Sequence, residues 1–173
     1  TWPGCEGKPA VVEVYSDAET VELFLNGESL GACRPRECIA RFETTYRPGM
    51  LRAIARCREH ICGEDVVQTA GPVAAVRLLT ESDAPAGSLI WIDVMLIDSE
   101  GRWNDAEDRV LTITKKGDAE LLALGSANPK AGTYPSGITE TYRGRAQIIL
   151  RRTDAPCTII VTANSGENAT LTI

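Results

Sequence analysis

The sequence predicts an all-β chain arranged as two small sandwiches in tandem. Three observations predict it. Apolar residues recur at every second position through most of the chain, as in Val21, Leu23 and Leu25 between Glu22, Phe24 and Asn26. Turn signals such as Asn26-Gly27, Arg47-Pro48-Gly49 and Asp98-Ser99-Glu100-Gly101 punctuate these runs. No stretch carries a convincing helical period, and the strand pattern restarts after Gly71-Pro72. That restart places the boundary between residues 1–71 and residues 72–173.

In order along the chain, residues 10–15 read as a strand ended by Ser16-Asp17. Val21–Gly31 reads as a hairpin, because Asn-Gly tolerates positive φ at both central turn positions. Residues 38–46 place Cys38, Ala40, Phe42, Thr44 and Tyr46 on one face. Residues 50–57 do the same for Leu51, Ala53, Ala55 and Cys57, and residues 61–69 return beside them. After Gly71-Pro72, whose proline stiffens the junction and cannot join a ladder, Val73–Thr80 begins the second half. Leu89–Ile97 is the most apolar run. Ile90, Ile92, Val94 and Leu96 face one way, and Leu89, Trp91, Met95 and Ile97 face the other. A strand apolar on both sides is expected to be buried on both. Arg109–Thr114 is a strand, Lys115–Asp118 a turn and Glu120–Leu124 a short strand. Residues 125–142 are rich in Gly, Pro, Ser and Thr, and long for an unstructured loop. Strands near 145–151, 157–163 and 168–173 close the second half.

Composition excludes several classes. With a net charge of -6 and a pI near 4.9, the 173-residue chain lacks the basic surface that nucleic acid or an anionic membrane requires. No apolar run approaches the roughly 20 residues of a membrane helix. The chain starts at Thr1 without a basic segment followed by an apolar one, which suggests a fragment or a processed product.

Residues suited to chemistry are sparse. The single histidine, His60, falls in Arg58-Glu59-His60-Ile61, a hairpin tip, and reads as a solvated loop residue. Cys33 and Cys38 repeat the spacing of Cys57 and Cys62. Four thiolates at such spacing suit a tetrahedral zinc site, and the same pairs suit disulfides in an oxidising compartment. Cys38 and Cys57 share strand faces with Phe42 and Leu51, which favours buried thiols over either. Asp98, Glu100, Asp105, Glu107 and Asp108 crowd one turn-rich stretch. They lack the spacing of a calcium loop and read as a solvated acidic loop. A glycosidase pair needs two carboxyl groups across a sugar cleft, and nothing here builds one. Among Trp2, Trp91 and Trp103, only Trp103 sits where an exposed ring could stack on a sugar. It is the one candidate sugar-binding residue. No catalytic residue and no cofactor is expected.

An ordered set of motifs carries a resemblance. It opens with Trp2-Pro3-Gly4, Val12–Ser16 and Val21–Gly27. Tyr46-Arg47-Pro48-Gly49-Met50-Leu51-Arg52-Ala53 and Thr69-Ala70-Gly71-Pro72 follow. Val94–Gly101, Gly125–Pro129 and Tyr142–Ala146 complete it. Taken in this order, the chain resembles the C-terminal region of β-galactosidase-type glycoside hydrolases of family 2. The resemblance implies two tandem immunoglobulin-like β-sandwich domains, the second similar also to immunoglobulin-like domains of bacterial adhesins. It implies that the catalytic (β/α)8 barrel, with its two glutamates, lies elsewhere in a bacterial parent, cytoplasmic or secreted. The expected role is therefore a non-catalytic accessory that shapes the cleft, with the parent's other domains as partners. A carbohydrate-binding module and an adhesin-like immunoglobulin tandem are the alternatives. Excised from such a parent, the chain should expose an apolar patch near Trp2 or Trp91, or self-associate through it.

Overall fold

Fourteen strands, and no helix among the described residues, make up the computed structural model, which describes residues 1–80, 84–129, 134 and 136–173. The chain divides into two compact units, Thr1–Thr69 and Ala70–Ile173.

The first unit holds β1 (Pro9–Tyr15), β2 (Thr20–Leu25), β3 (Glu28–Cys33), β4 (Ile39–Thr45), β5 (Met50–Cys57) and β6 (His60–Gln68). β1 and β4 form a two-stranded antiparallel sheet, and β3-β2-β5-β6 form a four-stranded one. The β2–β3 hairpin turns on Asn26 and Gly27, with φ of 53° and 85°, the mirror-image turn that matches strand twist. Asn26 Oδ1 also accepts the Met50 N–H at 2.8 Å, so the turn residue ties the hairpin to β5. Val21 and Leu23 of β2 are fully buried against Ala40 and Phe42 of β4. Each such aliphatic side chain contributes roughly 1.5–3 kcal/mol by leaving water. The two sheets differ in width, and every residue of β6 is exposed.

The second unit holds β7 (Ala75–Thr80), β8 (Leu89–Ile97), β9 (Val110–Gly117), β10 (Glu120–Gly125), β11 (Ile138–Glu140), β12 (Arg145–Arg151), β13 (Cys157–Ala163) and β14 (Asn168–Thr172). Its two antiparallel sheets run β10-β12-β8-β7 and β11-β9-β13-β14. Between them lies one core, centred on Ile92, Val94 and Leu96 of β8, Ile148 and Leu150 of β12, and Ile159 and Val161 of β13.

Several expectations are corrected. β8 is buried along one face, and on the other only at its end, at Ile97. Ile90, Ile92, Val94 and Leu96 are in the core, whereas Leu89 and Trp91 on the other face are 37% and 50% exposed. The reason is architectural: the second sheet covers a single face of the first. β9 continues through Lys115 and Lys116 to Gly117, because it is zipped to β13 from Leu111↔Ala163 to Gly117↔Cys157. Ladder pairing overrides the turn composition there. Within 125–142, Ile138–Glu140 pairs with Val110–Thr112 as β11, so that stretch is not all loop. The same loop reading falls partly on 130–133 and 135, which lie outside the described residues.

Candidate functional site

Where the sequence places its acidic cluster, the fold builds a hydrogen-bonded corner. Asp98, Asn104 and Thr141 are each at most 2% exposed. The Asp98 carboxylate accepts the N–H groups of Gly71, Glu100 and Arg102 and the Arg102 Nε–H, all at 2.8–2.9 Å. Burial pushes this carboxyl up, but the donors from Gly71, Arg102 and Glu100 more than offset it and leave it at about 2. Glu107 is held low first by Arg109, whose guanidinium it pairs with, and it also accepts the Val73 N–H. Asp108 accepts from the Thr141 hydroxyl and from Gly144 N. The solvated-loop reading is thus overturned for Asp98 and Glu107, whereas Asp108 stays exposed while accepting its two bonds. Their charges are bound to backbone and arginine donors, which sequence spacing does not reveal.

Trp103 sits at the rim of this corner, 37% exposed. Its indole N–H donates to the Arg143 carbonyl at 2.9 Å, and the Arg145 guanidinium lies 3.7 Å from the ring centroid. One face of the ring is thereby occupied by a cation.

The cysteines separate. Cys57 and Cys62 form a disulfide across the β5–β6 hairpin. Pairing steps from Arg56↔Ile61 to Ala55↔Gly63, so Cys62 is the unpaired residue of a bulge beside Cys57. Cys33 and Cys38 are free, and Cys38 is exposed in a turn with φ of 63°. The expectation of buried thiols fails for both Cys38 and Cys57. The bulge decides one position and the turn the other. With Cys57 and Cys62 joined, the four residues do not make one thiolate set, and no metal-ligating group occurs among the described residues. His60 opens β6 and is exposed, at the hairpin tip.

Two surface hollows carry aromatic rings. In the first unit, a groove of about 220 Å³ is lined by Trp2, Val11, Tyr46, Leu51 and Val67. Trp2 is 57% exposed, with its ring centroid 5.4 Å from that of Tyr46. In the second unit, a hollow of about 790 Å³ on the outer face of β7, β8 and β12 is lined by Leu79, Leu89, Trp91, Asp93 and Gln147, among others. There Gln147 Nε2 donates to Asp93 Oδ1 at 2.9 Å, and Thr80 Oγ1 donates to the Trp91 carbonyl at 2.9 Å. The sequence reads Trp91 as buried, in a core or an interface. Strand parity puts it on the uncovered face instead.

Comparison with known proteins places these features in a family. Residues 80–173 match the model of glycoside hydrolase family 2 C-terminal domain 5, and residues 7–60 match a domain of unknown function, DUF4982. The chain belongs to the family 2 glycoside hydrolases and represents their C-terminal region. A β-galactosidase, BoGH2A, from Bacteroides ovatus is 24% identical over 157 residues, covering 87% of this chain and 18% of that protein. The crystal structure of a glycosyl hydrolase family 2 member from Bacteroides cellulosilyticus matches all of this chain at 30% identity with a TM-score of 0.93, over 25% of its own length. A β-glycosidase from Bacteroides vulgatus matches at 26% identity and a TM-score of 0.87, again over the whole chain and 23% of its own. This chain therefore spans about a fifth to a quarter of the relatives it matches.

Proposed function

We propose that this chain is the non-catalytic accessory region of a β-galactosidase-type glycoside hydrolase. Its two sandwiches, residues 1–71 and 72–173, pack on the parent's other domains and shape one side of the cleft. The observation that carries this reading is the fate of the acidic cluster. Asp98, Glu107 and Asp108 spend their oxygens on N–H, hydroxyl and guanidinium donors of their own fold. A glycosidase pair needs one carboxyl ready to give a proton and another facing the sugar. A carboxyl at about 2 is a poor acid at neutral pH.

The apolar groove at Trp2, Val11 and Val67 supplies a surface for packing. The small share of the relatives' length spanned by this chain supports the reading that a parent contributes the catalytic part.

The test compares three proteins on p-nitrophenyl β-galactoside: this chain alone, the full-length parent, and the parent lacking this region. No turnover by the chain, together with altered KM or stability in the truncated parent, is the expected result. Turnover by the chain itself would refute the proposal.

A further inference from the structure

The outer face of the β10-β12-β8-β7 sheet sets a half-exposed tryptophan beside a hydrogen-bonded carboxylate–amide pair. Along β8, Leu89, Trp91, Asp93 and Met95 alternate outward. Arg151, Ile149, Gln147 and Arg145 of β12 stand opposite them in turn. On the other side, Leu79 of β7 stands opposite Asp93. The Asp93–Gln147 pair, with Leu79 beside it, therefore borders the apolar Trp91–Ile149 row, and Arg77 and Arg145 flank Met95 on its other side. Burying Asp93 under another domain would strip water from a carboxylate that accepts from the neutral Gln147 amide.

We infer that this hollow is a carbohydrate-binding site, with Trp91 as the stacking platform and Asp93 and Gln147 as the hydroxyl-reading pair. Pyranose rings combine a face of C–H groups with a perimeter of hydroxyls. The half-exposed Trp91 ring suits the C–H face. The Gln147–Asp93 bond fixes both side chains. It leaves the second Asp93 oxygen and the remaining amide atoms of Gln147 to bond adjacent hydroxyls. The hollow, about 790 Å³, falls within the usual size of small-ligand sites. From Trp91 to Met95 the strand runs about 13 Å, which gives room for more than one ring. Among the described residues that line the hollow, the charged one is Asp93, so the ligand is a neutral oligosaccharide rather than one built of uronic acids. The site is separate from Trp103, whose ring already carries Arg145. The inference does not depend on which glycosidic bond the parent cleaves, nor on whether this chain turns over substrate.

The test is calorimetric titration of the 173-residue chain with β-1,4-galactotetraose and with cellotetraose, followed in parallel by tryptophan fluorescence. Saturable binding of at least one probe is expected. Trp91→Ala should weaken it at least about tenfold and Gln147→Ala several-fold, whereas Trp91→Phe should retain part of it and Trp103→Ala most of it. Thermal melts of each variant establish that the fold is intact. Absence of saturable binding to both probes at millimolar concentration would overturn the inference, as would binding that survives Trp91→Ala. Binding by this chain that is lost in the full-length parent would also overturn it, and would mark the face as a covered domain contact.

Discussion

The carboxylate of Asp98 accepts the backbone N–H of Gly71 at 2.9 Å, joining two positions 27 residues apart at the entrance to the second unit. With three more donors from Glu100 and Arg102, it holds the Asp98-Ser99-Glu100-Gly101 turn as one hydrogen-bonded corner. Its carboxyl, ordinarily near 3.8, lies at about 2 in the fold. A depressed value means that the charged form is favoured by folding. The stabilisation is therefore complete above the ordinary value and is lost as pH falls from about 4 through about 2. Thermal melts from pH 7 to 2 should be level down to about pH 5 and then fall. Glu107 and Glu167, also held low, contribute to the same decline. Asp98→Asn should lower the melting temperature at pH 7 and show a shallower decline below pH 4. Parallel curves for the two proteins would remove Asp98 from this role.

The Cys57–Cys62 bridge predicts a thiol count. Alkylation of the unfolded, unreduced protein should label the four free cysteines, Cys5, Cys33, Cys38 and Cys157, and all six only after reduction. Closing so short a loop is worth about 2 kcal/mol in the chain-entropy model. Reduction should therefore lower the stability of the first unit by roughly that amount without unfolding it. Six labelled thiols before reduction would contradict the bridge.

Gly144 and Gly87 separate backbone strain from steric overlap. Both have positive φ, at 67° and 84°. A Cβ at Gly144 would stand 2.0 Å from the Asn104 carbonyl oxygen, whereas one at Gly87 would meet nothing within 4 Å. Gly87→Ala should cost about 1 kcal/mol, the ordinary price of left-handed backbone. Gly144→Ala should cost about 3 kcal/mol or more, because main chain must move in the corner that holds Trp103. Urea melts of the two variants make the comparison, and equal losses would contradict it.

The one-sided burial of β8 predicts a sharp alternation in mutational cost. Ile92→Ala removes a fully buried side chain and should cost about 2–5 kcal/mol. Trp91→Ala, next along the strand, should cost under about 1 kcal/mol in this chain because the ring is half in water. A large loss at Trp91 would mean that its face is covered.

Local chemistry made much of this legible from the sequence. Alternation placed Val21 and Leu23 in the core of the first unit, and Ile90, Ile92, Val94 and Leu96 in that of the second. Asn26-Gly27 and Gly101 marked turns that the backbone does make at positive φ. Such features depend on neighbours within a few residues, and strand parity and turn geometry act at that range.

What the sequence could not decide were matters of long-range partnership. Parity assigned Trp91 to one face of β8, but only the count of packed sheets left that face open. The acidic residues read as solvated because their donors come from Gly71, Thr141 and Gly144, far off in the chain or across a turn. The Cys57–Cys62 bond required a bulge that a strictly alternating reading does not contain. The sequence determined which residues form strands and which side of each strand is apolar. Tertiary structure decided which sides were covered, because burial and hydrogen bonding depend on what folding brings opposite each residue.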